Sequence, residues 1–379
     1  MSELTSGSLG TGRFAKRKLY GMARVISPGL WLMLLASAAP LEAQPMLLDP
    51  VISVAIGGMD KELVGVRDMY YAPSGDLVIL DLDEVIVLDP KGEIKHVWGR
   101  MGGGPGEFTL PIAIAANDST VFVAERDKVG VFHLDGDFIE NLRVDNPTTF
   151  VADVALLGDE PFALVLAVME QAEVIALSDK RTLAVVPVTF QPGVIFGALP
   201  SMAALDDERF VVAQGDTYAA RVLNFGTAQE VGLISRDVDI RPVTDDFRDK
   251  MLRYLENPAS APGGWAAWVG TEPAPPALLS QIRFAETFPA VSKMFQGPAN
   301  ALWVQRGAGV GDDLAEPVDP PSGEYTAFDL FDLEDYGYLG VVRLPGDFQP
   351  VAANEARLAG VVTSGLAPTL RVFEVSFTP

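Results

Sequence analysis

Trp98-Gly-Arg-Met-Gly-Gly-Gly-Pro-Gly-Glu-Phe108 is a glycine-rich turn between two segments that read as copies of each other. Asp76-Leu-Val-Ile-Leu-Asp81 lies over Thr120-Val-Phe-Val-Ala-Glu125, Val85-Ile-Val-Leu88 over Val129-Gly-Val-Phe132, and Gly92-Glu93 over Gly136-Asp137, always 44 residues on. A period of about 40–45 residues built from short β-type segments marks a propeller blade of four strands. Each unit has an inner strand (69–72; 112–115), a polar turn, a β-branched second strand and a short charged turn. A third strand, a tight hairpin and an outer strand complete it.

Weaker copies continue outward from this pair: a third blade over 151–188, a fourth over 202–235 and a fifth from 291 to 342. The sixth has only three strands, at 350–353, 358–362 and 370–375. The missing one is supplied from the other end of the chain, where Val51-Ile-Ser-Val-Ala-Ile56 stands before the first inner strand as Ile94-Lys-His-Val-Trp98 stands before the second. The expectation is an all-β, six-bladed β-propeller closed by pairing of an N-terminal strand with the C-terminal blade, which removes the open sheet edge an incomplete ring would leave.

Trp98-Gly-Arg with Gly-Pro-Gly-Glu-Phe108, the following Pro111, and Val131-Phe-His-Leu-Asp-Gly136 together resemble an exported bacterial six-bladed β-propeller family related to NHL repeats. Phe284-Ala-Glu-Thr-Phe-Pro289 leading to Leu302-Trp-Val304 is similar to that family's later blades. The third and fourth blades lack the Asp-Gly hairpin and the glycine-rich link. The resemblance implies fold and export far more than chemistry.

The first 43 residues differ in kind. Arg13, Lys16, Arg17, Lys18 and Arg24 precede an apolar run from Leu30 to Ala39, followed by small residues, the pattern of a signal peptide. The run of ten residues is well short of the roughly 20 that a membrane-spanning helix needs. Cleavage after Ala43 or Ala38 is expected, with Met1 or Met22 as the start, giving an exported, periplasmic or extracellular, monomeric protein without a membrane span. Removing residues 1–43 takes away five basic and two acidic residues from 28 Lys+Arg and 51 Asp+Glu, so the net charge moves from −23 to −26. A surface this acidic repels nucleic acid.

Two stretches interrupt the period, at about 237–289 and 306–324. In the first, Thr244 reads as an N-cap before Phe247, Met251, Leu252 and Leu255 at helical spacing, and a second short helical pattern spans 276–288. Strand direction alternates within a blade, so the turn between second and third strands shares a face with the link from one blade to the next. Both insertions and the glycine-rich turn therefore emerge together. Loops on a rigid scaffold carry function, which makes Asp81, Asp83, Arg100, Arg126, Asp127, Asp216, Trp265, Trp268 and Arg306 the binding candidates, for a protein, small-molecule or carbohydrate partner.

Chemistry is sparse. No Gly-Lys-Ser/Thr follows the glycine-rich stretch, so a phosphate loop is not indicated. Cysteine is absent, and His96 and His133 are the only histidines, too few for a three-histidine zinc site. Oxygen ligands remain: Asp81, Asp83, Glu125, Asp127 and Asp216 form a candidate set for Ca²⁺ or another divalent cation at the channel mouth. Asp329, Asp332, Glu334 and Asp335 form another candidate cluster, for which an acidic, solvated hairpin is the plainer account. The two resulting readings are a binding module acting through the insertion-bearing face and, second, a divalent-cation-dependent propeller hydrolase or lactonase.

Overall fold

The computed structural model describes residues 48–144, 149–167, 171–188, 194–195, 197–260, 272–310, 325–362 and 367–377. The expected leader, Trp265, Trp268 and most of the second insertion lie outside the described residues. Within them, six antiparallel sheets of four strands form six blades. Blade 1 comprises Val66–Tyr71, Leu77–Asp81, Glu84–Leu88 and Ile94–Trp98; blade 2 runs from Ala113–Ala116 to Phe138–Arg143, blade 3 from Thr149–Leu157 to Thr182–Pro187, blade 4 from Ser201–Ala204 to Glu230–Ser235, and blade 5 from Val291–Gly297 to Tyr338–Pro345. Blade 6 joins Phe348–Ala353, Arg357–Val362 and Thr369–Phe377 to the N-terminal strand Pro50–Ile56, whose Val51 faces Ser376 and Val54 faces Phe373 across an antiparallel ladder. The ring closes without a covalent link.

The apolar runs of the middle strands follow from burial on both faces. Along Leu77–Asp81, Leu77 and Ile79 pack toward blade 6 with Ala359 and Val372, while Val78 and Leu80 pack toward blade 2 with Ile114 and Val123. The same division recurs around the ring, so the core consists of six inter-blade layers. In one of them the glycine-rich turn has its structural role. Phe108 is fully buried, with ring centroids 5.5 Å from Phe132, and Trp98 lies 4.9 Å from Phe132 and donates from Nε1 to Leu134 O at 3.0 Å. Gly99 has φ +103°, and a Cβ there would meet Asp83 O and Phe108 Cε2, both at 2.7 Å. Only glycine lets the outer strand turn back this closely over the neighbouring blade.

The first insertion builds its own small core. Thr244 Oγ1 accepts from Phe247 N (3.3 Å) and starts helix α1, Asp245–Glu256. Phe247, Met251 and Leu255 then pack with Val243 and Phe288, and Ile195 from the link between blades 3 and 4 joins them. The second helical pattern is shorter than its spacing suggests. It stops at Leu279, and Arg283–Phe284 is instead extended, pairing in parallel with Val194–Ile195. Arg241 N and Gly309 O bond at 2.8 Å, tying this insertion to the start of the second one. All of these contacts lie on the face foreseen for both insertions, here termed the insertion face; the opposite one is the hairpin face.

Candidate functional site

On the insertion face, several of the sequence-derived candidates act as brackets. Asp81 is buried, and its carboxylate accepts from Val64 N (2.9 Å) and Gly65 N (2.6 Å). Glu125, 44 residues later, is also buried, accepts from Thr109 N (2.7 Å) and pairs with Lys128 (3.0 Å). Each clamps the chain entering an inner strand to the turn leaving the second strand of the same blade. Asp83 accepts from Met101 N at 2.8 Å, and Arg100, 77% exposed, pairs with Glu107 at 2.6 Å. Arg126 and Asp127 are exposed, and their carbonyls accept from Val151 and Val144. Asp216 accepts from Gln214 Nε2 (3.0 Å), leaving its Oδ1 buried and unpaired. Among the described residues no three or more His, Asp or Glu side chains gather at metal-binding distance, so the five proposed ligands are not brought together.

Arg306 holds the place in blade 5 that Asp81 holds in blade 1. It ends a strand opposite Val291, is buried, and gives Asp329 a two-pronged bond, from Nε at 3.0 Å and Nη2 at 2.7 Å. Asp329 also receives Arg236 Nη1 (2.9 Å), Tyr338 Oη (2.9 Å) and Tyr218 Oη. Arg236 stacks 4.5 Å above the Tyr338 ring. Asp329 is therefore separate from the hairpin at Asp332, Glu334 and Asp335, where Asp332 accepts from the amides of the other two. Burial alone would raise its pKa. The hydrogen bonds and charge of Arg306, with the charge of Arg236, outweigh that and hold it below the usual carboxylate value. A saturated network of this kind serves the junction of blades 4 and 5.

The group of charges that sequence reasoning missed lies in the central channel, a cavity of about 950 Å³ lined by the first strands of all six blades. In blades 1, 3, 5 and 6 that strand carries a bulge at the same place, and the residues that follow it are Asp68, Asp153, Lys293 and Ala352. A bulge re-aims a side chain locally. Because blades 1, 3 and 5 alternate around the ring, three charged side chains enter the channel from three directions. Ile114 N donates to Asp68 Oδ2 at 2.9 Å, and Val154 N to Asp153 Oδ1 at 2.8 Å. Lys293 Nζ donates to Val351 O at 2.7 Å and stands 3.9 Å from Asp68 Oδ1.

Two carboxylates thus share one ammonium at long range. Burial, and next the charge of Asp68, push the Asp153 carboxyl up to about 7, against the opposing pull of Lys293 and the Val154 amide. Asp68 is raised as well, again chiefly by burial, with Lys293 and the Ile114 amide opposing. Tyr70, beside them, is pushed up to about 12 by burial. The sequence held a signal for this tier: Val66-Arg-Asp68-Met69, Val151-Ala-Asp153-Val154 and Val291-Ser-Lys293-Met294 share one pattern, an unexpected charge in an apolar inner strand.

The two faces also differ in their loops. Among the described residues, every exposed large apolar residue outside a strand lies on the insertion face: Val64, Leu82, Met101, Leu110, Leu199 and Leu278. Val64 and Met101, 70% and 59% exposed, flank Leu82, which leans over Gly65 and precedes the Asp83 carboxylate that holds Met101 N. Leu82 itself has φ +54°, a left-handed conformation in a two-residue turn where asparagine or glycine sits at lower cost. On the hairpin face, the six turns between first and second strands carry seven Asp or Glu residues and no Lys or Arg.

Comparison with protein families and with curated proteins finds no match to this chain. Among solved structures, the WD40 domain of Neurospora crassa Pan2 is similar at 8% identity and a TM-score of 0.43, covering 83% of this chain and 76% of that one. The structure of U3-55K is similar at 10% identity and a TM-score of 0.44, covering 85% and 98%.

Proposed function

We propose that this protein is an exported binding module that engages a partner protein through the insertion face. The observation that carries the reading is Leu82. A strained, exposed leucine between two exposed apolar side chains is costly for a free surface, and local strain of this kind marks sites held for a purpose other than folding. Bracketing by Asp81 and Asp83 keeps the patch rigid, which lowers the entropy cost of docking on it.

The test has two parts. Replacing Leu82 by Gly should raise stability by about 1 kcal/mol, because glycine adopts positive φ freely, read as a higher urea midpoint. A benzophenone amino acid at Met101 should yield one recurrent protein adduct in the native cell, reduced by Leu82→Gly, whereas the same probe at Asp118 on the hairpin face should yield none. Equal labelling from both faces would sink the reading. A divalent-cation-dependent hydrolase is the second reading, favoured by the two channel carboxylates Asp68 and Asp153; a calcium-dependent rise in melting temperature, abolished by Asp153→Asn, would support it.

A further inference from the structure

The channel itself points to a ligand, independently of the insertion face. Asp68 and Asp153 place two negative charges on one tier, and Lys293 supplies one positive charge there; Arg67, which also lines the cavity, is drawn to its insertion-face end, where Nε donates to Leu82 O at 3.2 Å. One more cation would make the tier neutral, whereas an anion would have to enter against an unbalanced carboxylate. Asp153 is the open position. Its Oδ1 accepts the amide of the next residue, and among the described residues no donor reaches its other oxygen.

Lys293 shows how this channel holds an ammonium. Its Nζ takes an inner-strand carbonyl, Val351 O at 2.7 Å, and lies beside a carboxylate. Inner strands expose one unpaired backbone edge each to the lumen, so carbonyl acceptors recur around the tier. An ammonium carries three donors, which Asp153 and such carbonyls can satisfy. The approach is matched in sign: Asp206, Asp207 and Glu355 line the hairpin-face end of the same cavity, and although Asp206 is paired with Arg209 at 2.6 Å, three carboxylates against that one arginine leave this end acidic. Field focusing in an acidic, low-dielectric channel raises the local concentration of cations. A cavity of about 950 Å³ also falls in the range of small-ligand sites rather than of a buried defect.

We propose that the central channel binds a primary ammonium group on a slender aliphatic arm, entering from the hairpin face and seated against Asp153 and Asp68. A free diamine and a lysine side chain of a peptide present the same chemistry.

The test is calorimetric titration of the full mature chain near pH 8 and low ionic strength with diaminobutane, with acetyl-Gly-Lys-Gly-amide and with butyrate as the anionic control. Binding of either amine but not of butyrate is expected; the diamine alone would assign a small ligand, and the peptide alone a lysine side chain. Asp153→Asn should weaken that binding about tenfold or more, the scale of a lost charge-assisted hydrogen bond. Lys293→Met, which removes the resident competitor, should leave it unchanged or tighter, and both variants should keep the wild-type circular dichroism spectrum. No heat with either amine overturns the proposal, as does binding indifferent to Asp153→Asn, or binding lost in Lys293→Met while the spectrum is kept.

Discussion

Asp329 and Asp153 are both carboxylates beside cationic side chains in one ring, yet they are held in opposite ways. Asp329 receives two arginines and two tyrosines at hydrogen-bond distance and is held ionised. Asp153 has a single amide donor and shares one lysine with Asp68, and its carboxyl is pushed up to about 7. The first arrangement stabilises a blade junction. The second stores a cost at the centre of the molecule, which is what a binding site does before its ligand arrives.

The contrast can be broken from either side. Asp329→Ala would remove the buried carboxylate that Arg306 and Arg236 share, a loss of about 3–5 kcal/mol, seen as a large fall in the urea midpoint at neutral pH; a fall of less than about 1 kcal/mol would mean that the network is not a unit. Lys293→Met removes the cation that Asp68 and Asp153 share. It should cost about 2 kcal/mol near pH 8 and clearly less near pH 5, where Asp153 is protonated, whereas a cost independent of pH would show that Lys293 acts through packing alone. At the bottom of the scale, Arg100→Ala breaks a surface pair with Glu107 that water screens. Its urea midpoint should match the wild type, and a measurable shift would mean that the glycine-rich turn is held by charge rather than by Trp98 and Phe108.

Much of the ring was legible because its strands are buried on both faces. That burial makes apolar runs such as Leu77–Asp81, and repetition of the blade copies them 44 residues later. Closure by residues 51–56 followed from counting strands. The sites were harder to read for a reason that is also physical. In the sequence Asp329 sits next to Asp332, Glu334 and Asp335, but strand alternation turns it into the core while the hairpin leaves the others in water. Arg306 looked like the start of a loop and is the last rung of a ladder. Asp68, Asp153 and Lys293 are about 85 and 140 residues apart, and only the ring brings them to one channel. Their shared Val-Xaa-charged-apolar pattern is visible in the sequence, but the bulge that aims each charge into the channel is not.

The most direct test of the contrast is the pH dependence of Asp153→Asn. A carboxyl near 7 in the fold and about 3.9 in the unfolded chain holds its proton longer when folded. Stability contributed by this group is therefore lost as pH rises from about 4 to 7 and stays lost above. Asp329 has the opposite sign, its contribution being present above the unfolded value and lost as pH falls through the folded one. Urea denaturation of wild type and Asp153→Asn should thus give equal stabilities near pH 4, with the variant more stable by up to about 4 kcal/mol near pH 8. A variant less stable than wild type at pH 8, or equal to it at both pH values, would contradict the claim that the channel carboxylates are held short of partners.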